Sequence, residues 1–332
     1  MTGERPIFHV TNGTAAASAL RSAGIRDGGV LPWQDVLHDG PVPAGLSDET
    51  LTAVRATFIA DRGWADFAGA LHELRGRDRS LARWAAEGEV VLWFEHDLYD
   101  QLQLIQAIDR LASLDPPAEL VTMTVEPDFI SHLSSERIRT LYEQRAPVGS
   151  EARSLAKRAW AAFRAPSPEA MAALTVSELP ALPFLRAALV RMLEEYPEPD
   201  SGLSRTERQI LDVVGAGVAA PAATFRACQS REEAMFMGDS SFWRVMQRLL
   251  RAFQPLLAWK GIAPVAFPPS FLDDRRFLDY RLELTDAGRA ALAGRLDHVE
   301  VNGIDRWIGG VRLVPGHVWR WDREARRLIA PE

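Results

Sequence analysis

The stretch Val90-Val91-Leu92-Trp93-Phe94-Glu95-His96-Asp97-Leu98-Tyr99-Asp100-Gln101 decides the fold. Its apolar half is short, unbroken and bounded by polar residues, which is the pattern of a strand buried on both faces. Its polar half opens a helix: Asp97 stands at the N-cap position, Asp100 sits at the third helical position pointing back toward the same end, and Leu98, Leu102, Ile105, Ile108 and Ala112 follow on one stripe.

Working outward, the same design occurs twice more. Ile7-Phe8-His9-Val10 runs into Thr11-Asn12-Gly13-Thr14, and Val30-Leu31-Pro32-Trp33 runs into Gln34-Asp35 and then His38-Asp39. Between these two lies the alanine-rich segment 14–23, closed by Gly24, with Asn12 or Thr14 as its expected cap. Residues 47–86 carry apolar positions at helical spacing, and Pro116-Pro117 precedes a further strand near 120–125. Strands alternating with helices imply a Rossmann-like, mostly parallel α/β sheet. Groups placed after successive parallel strands then converge on one crevice at the carboxyl edge.

Beyond residue 146 the pattern changes. Residues 147–200 read as a helical connecting segment ending in the linker-like Tyr196-Pro197-Glu198-Pro199-Asp200-Ser201-Gly202. Residues 201–332 read as a winged-helix-like domain, with helices from Ser204 and Ser240, strand-like runs near 256–259 and 280–284, and a small β-meander tail rich in tryptophan. The expected organisation is therefore a 1–146 α/β ligand-binding domain, the 147–200 connector and a 201–332 winged-helix-like domain. In the tail, Gly309-Gly310 offers close backbone approach to a ligand or to the first domain.

Composition narrows the function classes. The chain has 332 residues, 47% apolar and 25% charged, and its one cysteine, Cys228, rules out an internal disulfide framework and a multi-thiolate zinc site. A cytoplasmic home is expected, because the N-terminal residues lack the features of a secretory signal and no apolar run approaches the ~20 residues that cross a bilayer. The net charge of −7 is uneven, with 22 acidic and 13 basic residues in 1–150 against 23 and 25 in 151–332. Neither half has the basic footprint of a protein held to nucleic acid by phosphate contacts alone.

Three clusters are candidates for chemistry. Thr11, Asn12, Gly13 and Thr14 form a strand-to-helix turn whose free N–H groups suit an anion, although no nicotinamide, flavin or nucleotide-loop signature accompanies it. Asp35 and His38 place a carboxylate near an imidazole, an arrangement for general base catalysis. Glu95, His96, Asp97 and Asp100 put four ionisable groups within six residues, more than capping needs. Asp35, His38, Glu95 and His96 are the catalytic candidates, and together they offer mixed oxygen and imidazole donors for a divalent metal such as zinc or manganese. Thr11 to Thr14, Asp97 and Asp100 are the ligand-binding candidates. On the Ser240–Phe253 helix, Arg244, Arg248 and Arg251 share the polar face that a winged helix presents to DNA. Residues 201–294, however, hold only 12 basic against 10 acidic groups.

The strings His9-Val10-Thr11-Asn12-Gly13, Leu31-Pro32-Trp33-Gln34-Asp35-Val36-Leu37-His38-Asp39-Gly40-Pro41-Val42-Pro43 and Leu92 to Leu102 resemble the hallmark strings of the bacterial family called domain of unknown function 1835. Gly202 to Arg208 and Asp305 to Val311 resemble the companion C-terminal region found with it. The resemblance covers roughly residues 7–125 and supports the domain division, and it brings no established activity or catalytic residue. The leading expectation is an enzyme, a hydrolase or transferase, acting on a small anionic or nucleotide-like substrate. Two others stand beside it: a ligand-sensing DNA-binding regulator, and a non-catalytic interaction protein whose polar clusters serve as caps and domain contacts; a homodimer through the C-terminal domain is a separate expectation.

Overall fold

A computed structural model describes residues 5–264, 267 and 279–331. Met1 to Glu4, whose composition enters the reading of targeting signals above, lie outside the described residues. The chain divides into two compact units, Met1–Val190 with Trp307–Val311, and Arg191–Arg306 with Arg312–Glu332.

The first unit is built on a five-stranded sheet. Its elements begin β1 (Ile7–Thr11), α1 (Thr14–Ser22), β2 (Gly29–Pro32), α2 (Asp48–Asp61), α3 (Phe67–Glu87), β3 (Glu89–Trp93) and α4 (Leu98–Leu114). They continue with β4 (Val121–Met123), α5 (Ser135–Glu143), β5 (Ala146–Pro147), α6 (Ser150–Arg164), α7 (Glu169–Leu174) and α8 (Leu185–Leu193), the last of which spans the division. The strand order is β2-β1-β3-β4-β5, parallel except for the short β5. This is the expected Rossmann-like, mostly parallel α/β class. Four of the five residues of β3 are buried, because the sheet is covered on both faces. The first crossover carries the chain from β1 to β2 on one side, and the chain later returns to place β3 on the other side of β1. The topological switch point therefore lies between the carboxyl ends of β1 and β3, where open α/β sheets form their ligand crevice.

Arginines inside the helical layer hold the loop after β2. Arg55 of α2 is 1% exposed and donates all five of its N–H groups. Nε and Nη2 reach Asp35 Oδ1 at 3.0 and 2.8 Å, Nη2 also reaches the Val36 carbonyl at 2.8 Å, and Nη1 reaches the carbonyls of Asp39 and Pro41 at 2.8 and 3.3 Å. From α3, Arg77 donates to the Trp33 carbonyl at 2.9 Å, with its guanidinium 4.0 Å from the centroid of the buried Trp33 ring. Periodicity reads such helix arginines as solvated, yet here they are the anchors of residues 33–42.

Gly309-Gly310 belongs to the first unit. The Gly309 carbonyl accepts from Val42 N at 2.8 Å, and Gly310 N donates to the Phe163 carbonyl at 2.9 Å. A Cβ on Gly310 would collide with the Arg164 carbonyl, and Gly309 has φ +58°. Of the two expected uses of the pair, this is close backbone packing against the α/β unit.

The second unit contains α9 (Arg205–Gly215), α10 (Pro221–Gln229), α11 (Asp239–Arg251), β6 (Leu257–Trp259), β7 (Leu282–Leu284), α12 (Asp286–Leu292) and α13 (His298–Asn302). β6 and β7 pair antiparallel, as do Arg320–Asp322 and Arg327–Ile329. Segment 196–202, read from its prolines as a linker, falls within this unit, with Tyr196 and Ser201 fully buried. No helix among the described residues is long and apolar enough to cross a membrane.

Removing one partner of a buried, fully hydrogen-bonded ion pair leaves the other charge uncompensated. Arg55→Ala is expected to cost about 3–5 kcal/mol in chemical denaturation. Arg75→Ala, which removes only the exposed pair with Glu49, should change stability by less than about 1 kcal/mol. Equal effects of the two substitutions would contradict the anchoring role.

Candidate functional site

One side chain bridges the carboxyl ends of β1 and β3. Asn12 follows β1, and its Nδ2 donates to both Glu95 Oε2 and Asp100 Oδ2 at 2.9 Å. Both amide hydrogens are thereby used on two carboxylates from beyond β3. Glu95 Oε1 accepts from Ile130 N at 2.7 Å, after β4, so three strand ends meet at one carboxyl group. Asp100 Oδ1 accepts from Glu95 N at 2.7 Å, and Asp97 Oδ1 accepts from Asp100 N at 3.2 Å as the N-cap of α4. The capping and back-pointing roles expected of Asp97 and Asp100 are both present.

Each of these carboxyls is buried: Glu95 is 4%, Asp97 3% and Asp100 0% exposed. One oxygen from each lies within 4.8 Å of the others, and among the described residues no arginine or lysine pairs with any of the three. Burial, with the charge of Asp97 as a further cause, pushes Glu95 up to about 7 against the pull of the Ile130 N–H and the Asn12 amide. Burial likewise pushes Asp97 up to about 7 despite its backbone donors. Asp100 is driven well above the carboxylate range by burial and by its two acidic neighbours. The group therefore holds protons near neutrality or takes up a cation in their place. All three donors are oxygens, a set suited to magnesium, manganese or calcium rather than zinc.

Gln101 donates through Nε2 to the Glu95 carbonyl at 2.6 Å, which leaves its buried Oε1 without a hydrogen-bond partner. Thr11, at the end of β1, is fully buried with an unpartnered Oγ1. Thr14 is exposed. The N-cap of α1 is Gly13, with no side-chain hydrogen bond, so neither expected cap, Asn12 or Thr14, is used. Asn12 is committed to the carboxylates instead. The first turn of α1 thus has no side-chain cap for its N–H groups.

The other candidates stand around this cluster in different ways. Asp35 is held by Arg55, and its contact with the site is indirect, through its backbone N–H to Gln103 of α4 at 3.4 Å. His38 is buried, its ring meeting Tyr99 edge-on with centroids 6.0 Å apart, and Tyr99 Oη donates to the Asn12 carbonyl at 3.3 Å. His96 is half-buried between Phe129 and Phe184, at ring distances of 5.2 and 6.0 Å, with Nδ1 unpartnered. Burial lowers its pKa, which favours the neutral imidazole with a free ring nitrogen. Asp35, His38 and His96 do not belong to the oxygen set that could share an ion, which corrects the mixed-donor expectation.

Gln34 and Tyr99 are absent from the sequence-based candidates. Gln34 has φ +33°, costly backbone for a side-chain-bearing residue, and its Nε2 comes within 3.8 Å of where a Cβ on Gly13 would sit. Only the backbone angle marks it. No protein-family model matches the chain, and no curated protein matches it.

The raised carboxyls give stability a definite pH dependence. Unfolded Glu and Asp release their protons near about 4, whereas folded Glu95 and Asp97 keep theirs to about 7. The folded state binds more protons across that window, so this contribution is complete below about pH 4 and is lost as pH rises through 7. The Tm of the wild type should therefore fall more between pH 5.5 and 8 than that of the double variant Glu95→Gln, Asp97→Asn, a comparison made by scanning calorimetry. Parallel pH profiles would contradict the assignment.

Proposed function

We propose that the first unit is an enzyme acting on a small anionic or nucleotide-like substrate, with Glu95, Asp97 and Asp100 holding a divalent cation that the substrate shares. The observation that carries this reading is the set of three buried carboxyls without a basic partner at the β1–β3 switch point. Three acidic groups alone repel an anionic substrate. A magnesium or manganese ion would reverse the local charge and supply Lewis acidity toward a phosphoryl or carbonyl oxygen. Asn12 fixes the separation of Glu95 from Asp100, and the open N-terminus of α1 with Gln34 suits the far end of the anion. His96, neutral and partly exposed, is the proton acceptor in this scheme; Asp35 positions the loop that carries His38. Hydrolysis or group transfer is the reaction class that such parts serve. Kinship with the domain of unknown function 1835 family belongs to the same proposal and rests on the strings of residues 7–125.

The regulator reading has the helix–helix–helix–ribbon order of α9 to β7 in its favour, as a winged-helix arrangement. Against it, Arg248 turns toward the buried Glu207, its Nη2 3.7 Å from Oε1, and Arg244 Nη1 donates to Gln247 Oε1 at 3.2 Å. Only Arg251 of the three is exposed; Arg244 and Arg248 are half-buried.

The test is a panel of nucleotides and simple phosphate esters incubated with the full chain and Mg²⁺ or Mn²⁺. Cation-dependent turnover is expected, reduced on the order of 10²-fold or more by Asp100→Asn and by His96→Ala. Melting should confirm that both variants stay folded, and Mn²⁺ should raise the Tm of the wild type but not of Asp100→Asn. No turnover together with no Mn²⁺-induced rise in Tm would overturn the proposal.

A further inference from the structure

The second unit contains a cavity of about 350 Å³ whose walls include Glu207, Arg248, Arg251, His298, Asn302 and Arg306. That volume lies within the range of small-molecule sites. At its base Glu207 is 4% exposed, and one of its oxygens, Oε1, faces two guanidinium groups, Arg306 Nη1 at 3.5 Å and Arg248 Nη2 at 3.7 Å. Oε2 is committed to Ser204 N at 2.9 Å in the capping box of α9. Burial opposes the ionisation of Glu207, yet the guanidinium groups beside it, Arg306 foremost, hold it at about 2, so it is charged at any working pH. Glu207 thus meets the Arg306 guanidinium at the base of the cavity, with Arg248 beside it.

Three further features of the lining point the same way. Arg306 Nε is buried without a hydrogen-bond partner. Arg251, exposed at the end of α11, forms no ion pair with any acidic side chain among the described residues. The other acid on the wall, Asp305, is taken by Arg312 through two hydrogen bonds of 2.9 and 2.8 Å. His298 Nδ1 lies 2.9 Å from Asn302 Nδ2, an amide nitrogen that can only donate, so the proton of the neutral ring sits on Nε2 and makes it a donor. The lining is therefore rich in donors, and with Asp305 paired, Arg251 and Arg306 outnumber its one remaining described acid, Glu207.

We infer that this cavity binds a small oxyanion, a phosphate monoester or a carboxylate, with Arg251 and Arg306 as its charged partners. Planar guanidinium groups match either anion through paired N–H donors. A small molecule fits better than a duplex, because Arg248 and Arg306 surround a concave, partly buried space rather than projecting from a convex face. The site lies wholly within the second unit and is independent of the chemistry proposed for the first.

Calorimetric titration of the full chain at low ionic strength, with inorganic phosphate in one arm and succinate in the other, tests the inference. Saturable one-site binding is expected in at least one arm, and the arm that binds identifies the anion class. Arg251→Ala should weaken binding about tenfold, equivalent to about 1.4 kcal/mol, without lowering the Tm. Arg306→Lys, which keeps the charge and loses the planar fork, should weaken it as well. Absence of saturable binding in both arms would overturn the inference, as would affinity unchanged in both variants. Arginine-dependent retention of duplex DNA with no small-anion binding would overturn it in favour of a nucleic-acid surface.

Discussion

The structure of the α/β unit turns on the two hydrogen bonds that the Asn12 amide donates to Glu95 and Asp100. They join the ends of two neighbouring parallel strands at the point where the chain reverses its direction of winding. They also hold two buried acids close together with no basic side chain between them. A neutral amide cannot cancel charge, so burial first, and the closeness of the acids second, raise proton affinity against the amide's smaller pull. That unrelieved charge is the property from which the proposed cation site and its chemistry follow.

A few residues away the same fold handles a buried acid in the opposite manner. Asp35 is as inaccessible as Asp100, yet Arg55 meets it with two N–H groups and spends its other three on the carbonyls of the same loop. Neutralised in this way, Asp35 becomes part of the scaffold that steadies residues 33–42, including Trp33, whose Nε1 donates to Gln106 of α4 at 2.8 Å. His9 belongs to the scaffold too: it accepts from Trp93 Nε1 at 3.1 Å, and burial lowers its pKa to about 4. The contrast separates acids that build the crevice from acids that work in it. Two clusters that look alike along the chain thus have different roles in space.

Much of this is legible in the sequence. Apolar runs that stop at Val10, Trp33 and Phe94 place each strand end to within one residue of where it falls, at Thr11, Pro32 and Trp93, and the cap at Asp97 follows from its spacing to Asp100. Arg55 and Arg77 are not legible, because a helix pattern assigns charged residues to solvent unless a buried acceptor is known, and theirs come from a loop 14 to 44 residues earlier. Gln34 is marked only by a positive φ, which a glutamine does not advertise. The prolines around Tyr196 suggested a linker, but proline reports a fixed φ and a missing donor, not exposure. The direction of Arg248 depends on Glu207 of α9, so a helical wheel alone could not assign it to a groove or to a cavity.

The most direct test of the central claim is a site-resolved titration of the carboxyl groups, by NMR of protein labelled with ¹³C at the Asp and Glu side-chain carboxyls and assigned through single Asn or Gln substitutions. Glu95 and Asp97 should titrate near 7 in metal-free protein, and saturating Mg²⁺ should move both sharply downward, since the cation displaces the protons they hold. Titration of both groups near about 4 in metal-free protein, with no response to Mg²⁺, would contradict the account.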